Sequence, residues 1–214
     1  MAASRLFSMK PTIICLLGKP LAGKDTVARY LREQDTGIAT ISMGEILREV
    51  KAAGSDHRFW PLFKDAVSVA DAGGIVPDEP IFRCVTKLIT EQLDSGKETV
   101  VWVGGPRSSQ QLSWLDQWTK ACGYDEKFFY VDVPDDVVYE RVELRASHMR
   151  ADDGVVSYWL SEFERVTKPV ADMLREQGRL HEINGTGGKE VVGARAAELL
   201  MLQPESTLPK AARK

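Results

Sequence analysis

A glycine-bounded loop near the start of the chain has the residue types and the spacing that bind phosphate. It follows the apolar run 12–17, leads into a helix-like segment, and consists of Gly18, Lys19, Pro20, Leu21, Ala22, Gly23, Lys24, Asp25 and Thr26. The glycines let backbone N–H groups turn inward, the helix N-terminus adds partial positive charge, and Lys24 reaches the outer phosphates. A plain tight turn between a strand and an amphipathic helix is the alternative. The agreement of strand, loop and helix favours a phosphate site.

Arginines further along the chain offer more positive charge. Arg141 and Arg145 are four residues apart in a helix-like segment and therefore share one face, and Arg150 follows shortly after. Such a face suits a site with several phosphates. A solvated face paired with the neighbouring Glu140 and Glu143 explains the same pattern, so both interpretations remain open at this point.

A second group of candidates follows the predicted central strands. Gly104 and Arg107 come directly after the third strand, at the edge where parallel sheets bind ligands, and an arginine there can bind an anion through two hydrogen bonds. The alternative is a turn with an exposed arginine. Arg48 similarly follows the second strand. Asp78 precedes a helix-like segment, where we expect it to act as the N-cap.

Composition limits the class of protein. The chain has 214 residues and a formal net charge of −3, which favours one domain without the basic surface of a nucleic-acid-binding protein. No apolar run is long enough to cross a bilayer, and residues 1–10 lack a signal-peptide core. Cys15, Cys84 and Cys122 fit no metal or redox spacing. We therefore expect a cytoplasmic monomer that binds neither membrane nor nucleic acid.

Strand-like and helix-like segments alternate along the chain. The predicted strands are 12–17, 38–41, 99–103, 128–133 and 181–183. The predicted helices are 24–33, 45–52, 61–72, 80–93, 110–122, 135–145, 155–176 and 189–200. This order predicts an α/β fold in which a five-stranded parallel sheet has helices on both faces. The helical excursion between the second and third strands predicts an insertion that forms a substrate site.

Taken together, the segments resemble the adenylate kinase family of nucleoside monophosphate kinases. Residues 18–26 are similar to the family's GxPGxGKGT loop, 41–48 to ISTGDxLR, 76–79 to VPDE, and 104–107 with Gln111 to GFPRxxxQ. Residues 132–145, 150–153, 167–169 and 183–185 resemble the family's DVPxxxxxxRxxxR, RxDD, TxP and final glycine-loop segments. The resemblance implies a P-loop kinase domain over 11–202, an acceptor-binding insertion over 43–75, a short lid over 145–153, and disordered tails over 1–10 and 203–214.

The resemblance also implies an activity, which is magnesium-dependent phosphoryl transfer from ATP to a nucleoside monophosphate, most like adenylate kinase. Lys24 would neutralise the transferring phosphate, the loop 18–26 would enclose the donor phosphates, and Arg141 and Gly185 would lie beside the donor base. Arg107, Arg141, Arg145 and Arg150 would join Lys24 as catalytic cations. The acceptor would contact Met43, Arg48, Gly104, Arg107, Gln111 and Arg150. The short lid has no cysteine cluster for zinc.

Six positions depart from the family pattern, and two of them, Leu21 and Asp25, replace glycines of the family's loop. Val103 replaces an Asp that helps to hold magnesium, and we hypothesise that the Asp25 carboxylate takes over the water shell of the metal; pairing with Lys24 or capping of the helix are the alternatives. Met43 and Gly105 alter the acceptor-base pocket, which leaves UMP, CMP or a deoxynucleotide as a second acceptor class. Trp159 replaces a lid arginine. Together with Val103 it leaves a catalytically weak, nucleotide-binding regulator as the alternative of another class.

Overall fold

Five parallel strands form the centre of the computed structural model, which describes residues 10–71, 76–145 and 156–201. The strands are β1 (Thr12–Gly18), β2 (Ile38–Ser42), β3 (Thr99–Val103), β4 (Asp125–Asp132) and β5 (Leu180–Asn184). Their order in the sheet is β2-β3-β1-β4-β5, and every pairing is parallel. The predicted five-stranded parallel sheet is confirmed.

Helices connect the strands and cover the sheet. They are α1 (Lys24–Gln34), α2 (Met43–Ala53), α3 (Trp60–Asp71), α4 (Asp78–Asp94), α5 (Ser109–Cys122), α6 (Asp135–Arg145), α7 (Val156–Glu162), α8 (Lys168–Glu176) and α9 (Lys189–Met201). A short 3₁₀ turn, Gly54–Asp56, precedes α3. One continuous helix was predicted over 155–176, but a π-helical turn, Phe163–Thr167, separates α7 from α8.

Alternating side chains of β1 divide the hydrophobic core into two layers. Ile13, Cys15 and Leu17 face a cluster to which α2, α3, α4, α5 and α8 contribute. Ile14 and Leu16 face a second cluster, formed with α1, α6 and α9. Because β1 is buried on both faces, its apolar run is continuous rather than alternating, as expected for a central parallel strand. The three-layer α/β/α arrangement follows.

Two local predictions are wrong. β4 was predicted over 128–133, but it begins at Asp125 and ends at Asp132. Its polar first residues pair with the start of β1, where the sheet reaches the surface, so hydropathy gave no signal for them. Asp78 was predicted to cap a helix, yet Pro77 is the N-cap and Asp78 is the first residue of α4.

Several predicted segments lie at or beyond the limits of the described residues. The predicted lid, apart from Arg145, and the predicted tails, apart from Lys10, fall outside them, as do residues 72–75 of the predicted insertion. The three cysteines are free thiols, and Cys15 and Cys84 are buried. In the described part of the chain, every helix is too short or too polar to span a bilayer.

Candidate active site

The predicted site residues gather where the parallel strands end. Leu16 of β1 lies opposite Val103 of β3, and the N–H of Gly104 donates to the carbonyl of Leu16 at 2.9 Å. The loop after β1 and the loop after β3 are therefore neighbours. The carboxyl ends of adjacent parallel strands form the usual ligand-binding crevice of such a sheet.

The loop after β1 is shaped by close backbone approach. At Gly18, φ is +141°, and a Cβ would lie 2.5 Å from the carbonyl oxygen of Val131 on β4, so only glycine fits. Gly23 forms the N-cap of α1 without a side-chain cap. The first N–H groups of α1 have no partner within the helix and add to its positive end. This is the geometry of an anion-binding loop.

Lys24 spans the inside of this loop. Its Nζ donates to the carbonyls of Gly18 at 2.8 Å and Lys19 at 2.6 Å, which holds the ammonium at the strand end. Burial and the nearby charge of Arg107 lower the pKa of Lys24 from 10.5 to about 8, while the Asp25 carboxylate opposes this shift. A lysine that has lost hydration and faces another cation is stabilised by a bound anion.

Arg107 approaches Lys24 from the loop after β3. Its Nε donates to the carbonyl of Gly104 at 2.9 Å, and its backbone N–H donates to Oε1 of Gln111, also at 2.9 Å. These bonds fix the start of the side chain of Arg107, which as a whole residue is exposed, and its terminal guanidinium nitrogens can bind an anion. Lys24 and Arg107 thus converge on the same crevice.

Gln111 is held more tightly than the sequence suggested. Its side chain is 2% exposed, and Nε2 donates to Oδ1 of Asp78 at 2.7 Å while Oε1 accepts from Arg107. Oδ2 of Asp78 accepts from the hydroxyl of Ser108 at 2.6 Å. Sequence reasoning assigned Asp78 only a capping role and missed this contact, since 33 residues separate Asp78 from Gln111.

Arg141 joins the loop 18–26 to the loop after β5. Nη1 donates to the carbonyl of Leu21 at 2.8 Å, and Nη2 donates to the carbonyl of Gly185 at 2.9 Å. The guanidinium of Arg141 therefore contacts the two loops, and its role toward a bound nucleotide stays a prediction. Among the predicted donor-side residues, it connects Leu21 with Gly185.

Lys19 points away from the inside of the loop. Its Nζ donates to the carbonyl of Val133 at 3.1 Å and forms an ion pair with Asp135 at 2.5 Å, at the start of α6. Its carbonyl accepts from Lys24 and from the N–H of Ala22. The backbone of Lys19 thus shapes the loop, while its side chain ties the loop to α6.

Asp25 lies at the first turn of α1 and has a defined partner. Its Oδ1 accepts from the hydroxyl of Ser42 at the end of β2, at 3.0 Å. The two alternatives from the sequence did not predict this contact: Gly23 is the N-cap of α1, and the Lys24 ammonium donates to backbone carbonyls, although the Asp25 carboxylate lies near enough to raise the pKa of Lys24. Val103 is 5% exposed and belongs to the apolar core.

The donor set around Asp25 fits magnesium with its water shell. The carboxylate is exposed, the hydroxyl of Thr26 follows it in the chain, and oxygen atoms are the ligands that magnesium prefers. Within the described ranges, no cluster of three or more His, Cys, Asp or Glu side chains stands ready to hold an ion by itself. A metal shared with phosphate oxygens does not require such a cluster.

Other predicted acceptor residues are brought together less closely. Met43 is 2% exposed and lies in the hydrophobic core, so its proposed contact with the acceptor base stays a prediction. The exposed Arg48 lies on α2, where one of its terminal nitrogens would contact a Cβ at Gly44 at 3.4 Å. Arg150 and the side chain of Arg145 lie outside the described residues.

Gly105 and Trp102 explain one departure from the family pattern. A Cβ at Gly105 would lie 2.1 Å from the indole of Trp102, whose side chain is 1% exposed. The ring therefore occupies the space that a side chain at position 105 would need. The indole Nε1 is buried without a hydrogen-bond partner among the described residues.

Comparison with known proteins agrees with this geometry. The family model described as adenylate kinase matches residues 16–179, well over half of the chain. The chain belongs to the adenylate kinase family. It is 32% identical over 185 residues to adenylate kinase from Hyphomonas neptunium, across 85% of this chain and 94% of that protein. The resemblance seen in the motifs is thereby confirmed.

Further members of the adenylate kinase family match over a similar span. Adenylate kinase from Stenotrophomonas maltophilia is 33% identical over 186 residues, which cover 85% of this chain and 95% of that protein. Adenylate kinase from Salinibacter ruber is 30% identical over an alignment of 214 residues, covering 87% of this chain and 97% of that protein. The likeness therefore extends over nearly the whole length of these relatives.

Proposed function

We propose that this member of the adenylate kinase family transfers the terminal phosphoryl group of ATP to AMP and so produces two molecules of ADP. The observation that carries the proposal is the convergence of Lys24 and Arg107 from two neighbouring strand ends. Lys24 has lost hydration and lies near the positive charge of Arg107, so a bound anion would offset both the burial and the repulsion. Phosphoryl transfer requires such a cluster, because charge develops on the transferring oxygens.

On the donor side, the loop 18–26 binds the phosphates of ATP through backbone N–H groups and the positive end of α1. The ammonium of Lys24 is tethered by two carbonyls and retains an N–H for a phosphate oxygen. Arg141 holds the loops that carry Leu21 and Gly185 in a fixed relation. It thereby sets the width of the space in which the nucleotide lies.

On the acceptor side, Arg107 binds the phosphate of AMP, and Arg48 adds a second positive charge. Gln111 faces the acceptor base, with Met43 and Gly104 as further contacts. Arg145 and Arg150 close over the phosphates from the lid. The insertion 43–75 and the lid 145–153 exclude water when both nucleotides are bound, which directs the phosphoryl group to AMP rather than to hydrolysis.

Magnesium accompanies ATP in this proposal. When bound, the ion would supply charge neutralisation at the donor phosphates. Asp25 would hold the ion through its water shell, and the hydrogen bond from Ser42 keeps the carboxylate in place. Thr26 offers a hydroxyl on the same turn. Val103, being buried and apolar, plays no part in this arrangement.

We also propose that the enzyme works as a cytoplasmic monomer without nucleic-acid or membrane partners. The net charge of −3 supports the absence of a basic binding surface. In the described ranges, the large exposed apolar side chains are divided among α6, α8 and α9. Light scattering coupled to gel filtration should give a mass near 23.8 kDa. A dimer mass would contradict this part of the proposal.

The decisive experiment offers ATP, magnesium and a panel of monophosphates to the purified chain. We expect AMP to yield diphosphate far above UMP, CMP, GMP and the deoxynucleotides. Lys24→Met should abolish transfer, since its ammonium is the cation of the donor loop, whereas the exposed Lys120→Met on α5 should retain full activity. If another monophosphate were phosphorylated faster than AMP, that nucleotide would be the acceptor and the proposal of AMP would be wrong. Binding of ATP without transfer to any acceptor would favour the regulatory alternative.

A further inference from the structure

We propose that Asp78 is a positioning residue that fixes the orientation of Gln111 and so determines which acceptor base is accepted. The inference rests on the proposed function for the identity of the acceptor. It deepens that function by adding a residue that the helix-capping interpretation had set aside. Asp78 does not need to touch the acceptor, because it acts through the two side chains that it holds.

The carboxylate of Asp78 connects α4 to the start of α5. Oδ1 accepts from Nε2 of Gln111 at 2.7 Å, and Oδ2 accepts from the hydroxyl of Ser108 at 2.6 Å. The Ser108 oxygen in turn accepts the N–H of Gln111 at 3.1 Å, as the N-cap of α5. Oε1 of Gln111 accepts the N–H of Arg107. One carboxylate thus organises the residue that binds phosphate and the residue that follows it by one turn.

This arrangement allows only one orientation of the Gln111 amide. A carboxylate accepts hydrogen bonds, so the NH₂ group must face Asp78, and a backbone N–H donates, so the oxygen must face Arg107. Each amide atom keeps one further hydrogen-bonding position. The amide therefore presents its remaining donor and acceptor in one fixed order.

A fixed order of donor and acceptor discriminates between bases. A base that offers its own groups in the matching order gains hydrogen bonds, while a base with the reverse order places like groups against one another. Gln111 is 2% exposed and both groups of its amide already have protein partners, so the amide would have to break one of these bonds to pair with a base of the reverse order. A site built around fixed hydrogen-bonding groups discriminates strongly between ligands that match them and ligands that do not.

Asp78 also lies at the exit of the proposed acceptor insertion. It is the first residue of α4, and residues 43–75 precede it by only a short connection. The contact with Gln111 therefore fixes the start of α4 relative to the acceptor side of the sheet. Asp78 therefore links the end of the proposed insertion to the amide of Gln111.

The test replaces Asp78 by asparagine, which keeps the shape of the side chain. The asparagine amide has one acceptor oxygen, so it cannot accept hydrogen bonds from both Ser108 and Gln111. If the Gln111 amide turns to present its oxygen to the NH₂ group of the asparagine, its own NH₂ group comes to lie against the N–H of Arg107. We expect the KM and the calorimetric Kd for AMP to rise about tenfold, the energy of a single hydrogen bond, and those for ATP to stay within about twofold. The preference for AMP over GMP and UMP should fall as well.

Glu79→Gln is the matched control. It removes the same charge from the same first turn of α4, but Glu79 pairs only loosely with the exposed Arg83, at 3.6 Å. Its acceptor constants and preference should remain those of the unmodified chain. An effect of equal size in Glu79→Gln would show that only helix electrostatics is involved and would overturn the proposal.

A second variant covers the case in which Asp78→Asn fails to fold. Ser108→Ala removes one of the two partners of Asp78 and should raise the Kd for AMP in the same direction, by a smaller factor. Unchanged AMP binding in both foldable variants, or an equal loss of ATP binding, would refute the role of Asp78. If the unmodified chain phosphorylates no monophosphate, the proposed function fails, and calorimetry with AMP still decides the positioning role.

Discussion

The hydroxyl of Ser42 donates a 3.0 Å hydrogen bond to the carboxylate of Asp25 and so joins the end of β2 to the first turn of α1. The bond holds a carboxylate in the loop after β1, where the donor phosphates are proposed to bind. At the end of β3, where the family carries an aspartate, this chain has the buried Val103. In the proposed site, the carboxylate that would orient the water shell of magnesium therefore lies in the loop after β1 instead of at the end of β3.

Asp25→Ala should sharply weaken the response to magnesium. If the carboxylate orients the water shell, its loss removes one charge-assisted contact, and the magnesium concentration for half-maximal rate should rise about tenfold or more. Titration of the rate with magnesium at saturating ATP measures this effect. Ser42→Ala, which leaves the carboxylate present but unanchored, should give a smaller shift. Identical magnesium curves for Asp25→Ala and the unmodified chain would rule out this role.

ATP affinity should fall as pH rises through about 8. The pKa of Lys24 is lowered to about 8 in the free protein, chiefly by burial, so the ammonium loses its proton above that pH. Phosphate favours the charged form and raises the pKa, so ATP binding between pH 8 and 10 should take up a proton. Calorimetry in two buffers with different ionisation enthalpies measures this uptake. In Lys24→Arg the uptake should vanish, because arginine remains charged; persistent uptake there would assign the proton to another group.

Replacement of Leu21 by glycine should lower the free energy of unfolding less than replacement by alanine. It is the non-glycine residue of positive φ, +60°, among the described residues, a conformation that costs an L-residue about 1–2 kcal/mol. Both variants lose the packing of the side chain, but only glycine relieves the backbone. Urea unfolding should therefore find Leu21→Gly more stable than Leu21→Ala by about 1 kcal/mol. Ala197→Gly in α9 is the control, and there the alanine form should be the more stable one. If Leu21→Ala also proved more stable than Leu21→Gly, backbone strain at position 21 would be ruled out.

A side chain at position 105 should be tolerated without a large loss of stability only when Trp102 is replaced by a smaller residue. Gly105→Ala places a Cβ 2.1 Å from the indole and should cost about 1–3 kcal/mol of unfolding free energy. In a Trp102→Leu background, Gly105→Phe should cost less than the sum of the two single changes, by about 1 kcal/mol or more. Gly188→Ala, which meets only a glutamate oxygen at 3.9 Å, is the near-neutral control. Additive costs at 102 and 105 would show that the two positions do not share space.

The sequence predicts best where the chemistry is local. The apolar run of β1, the loop and Lys24 follow one another directly, so spacing alone placed the lysine at a strand end. The approximate positions of Arg107 and Arg141 could be predicted for the same reason, since the loop that carries Arg107 and the helix that carries Arg141 follow strand ends. The partners of these residues depended on the parallel order of the strands.

Contacts between distant segments could not be predicted. Asp78 had the features of a helix cap, and only the packing of α4 beside α5 brings it to Gln111. The side chain of Lys19 lies in the phosphate loop by sequence, yet it binds Asp135, 116 positions away. For each of these side chains, the neighbouring sequence suggested a local role. In the fold, the side chain instead binds a residue that is distant in sequence.

The adjacency of β1 and β3 has a consequence for the proposed reacting centre and for the insertion that is proposed to bind the acceptor. Thr12 to Leu16 lie in register with Thr99 to Val103, so the ladder alone sets the spacing of the two cationic loops. Residue 43 follows β2, which pairs with β3 on the side away from β1, and the described residues of 43–77 contribute no strand to the sheet. This stretch is therefore an exchangeable cassette. A chimaera that keeps Asp78 and replaces 43–77 should change the acceptor while preserving the chemistry.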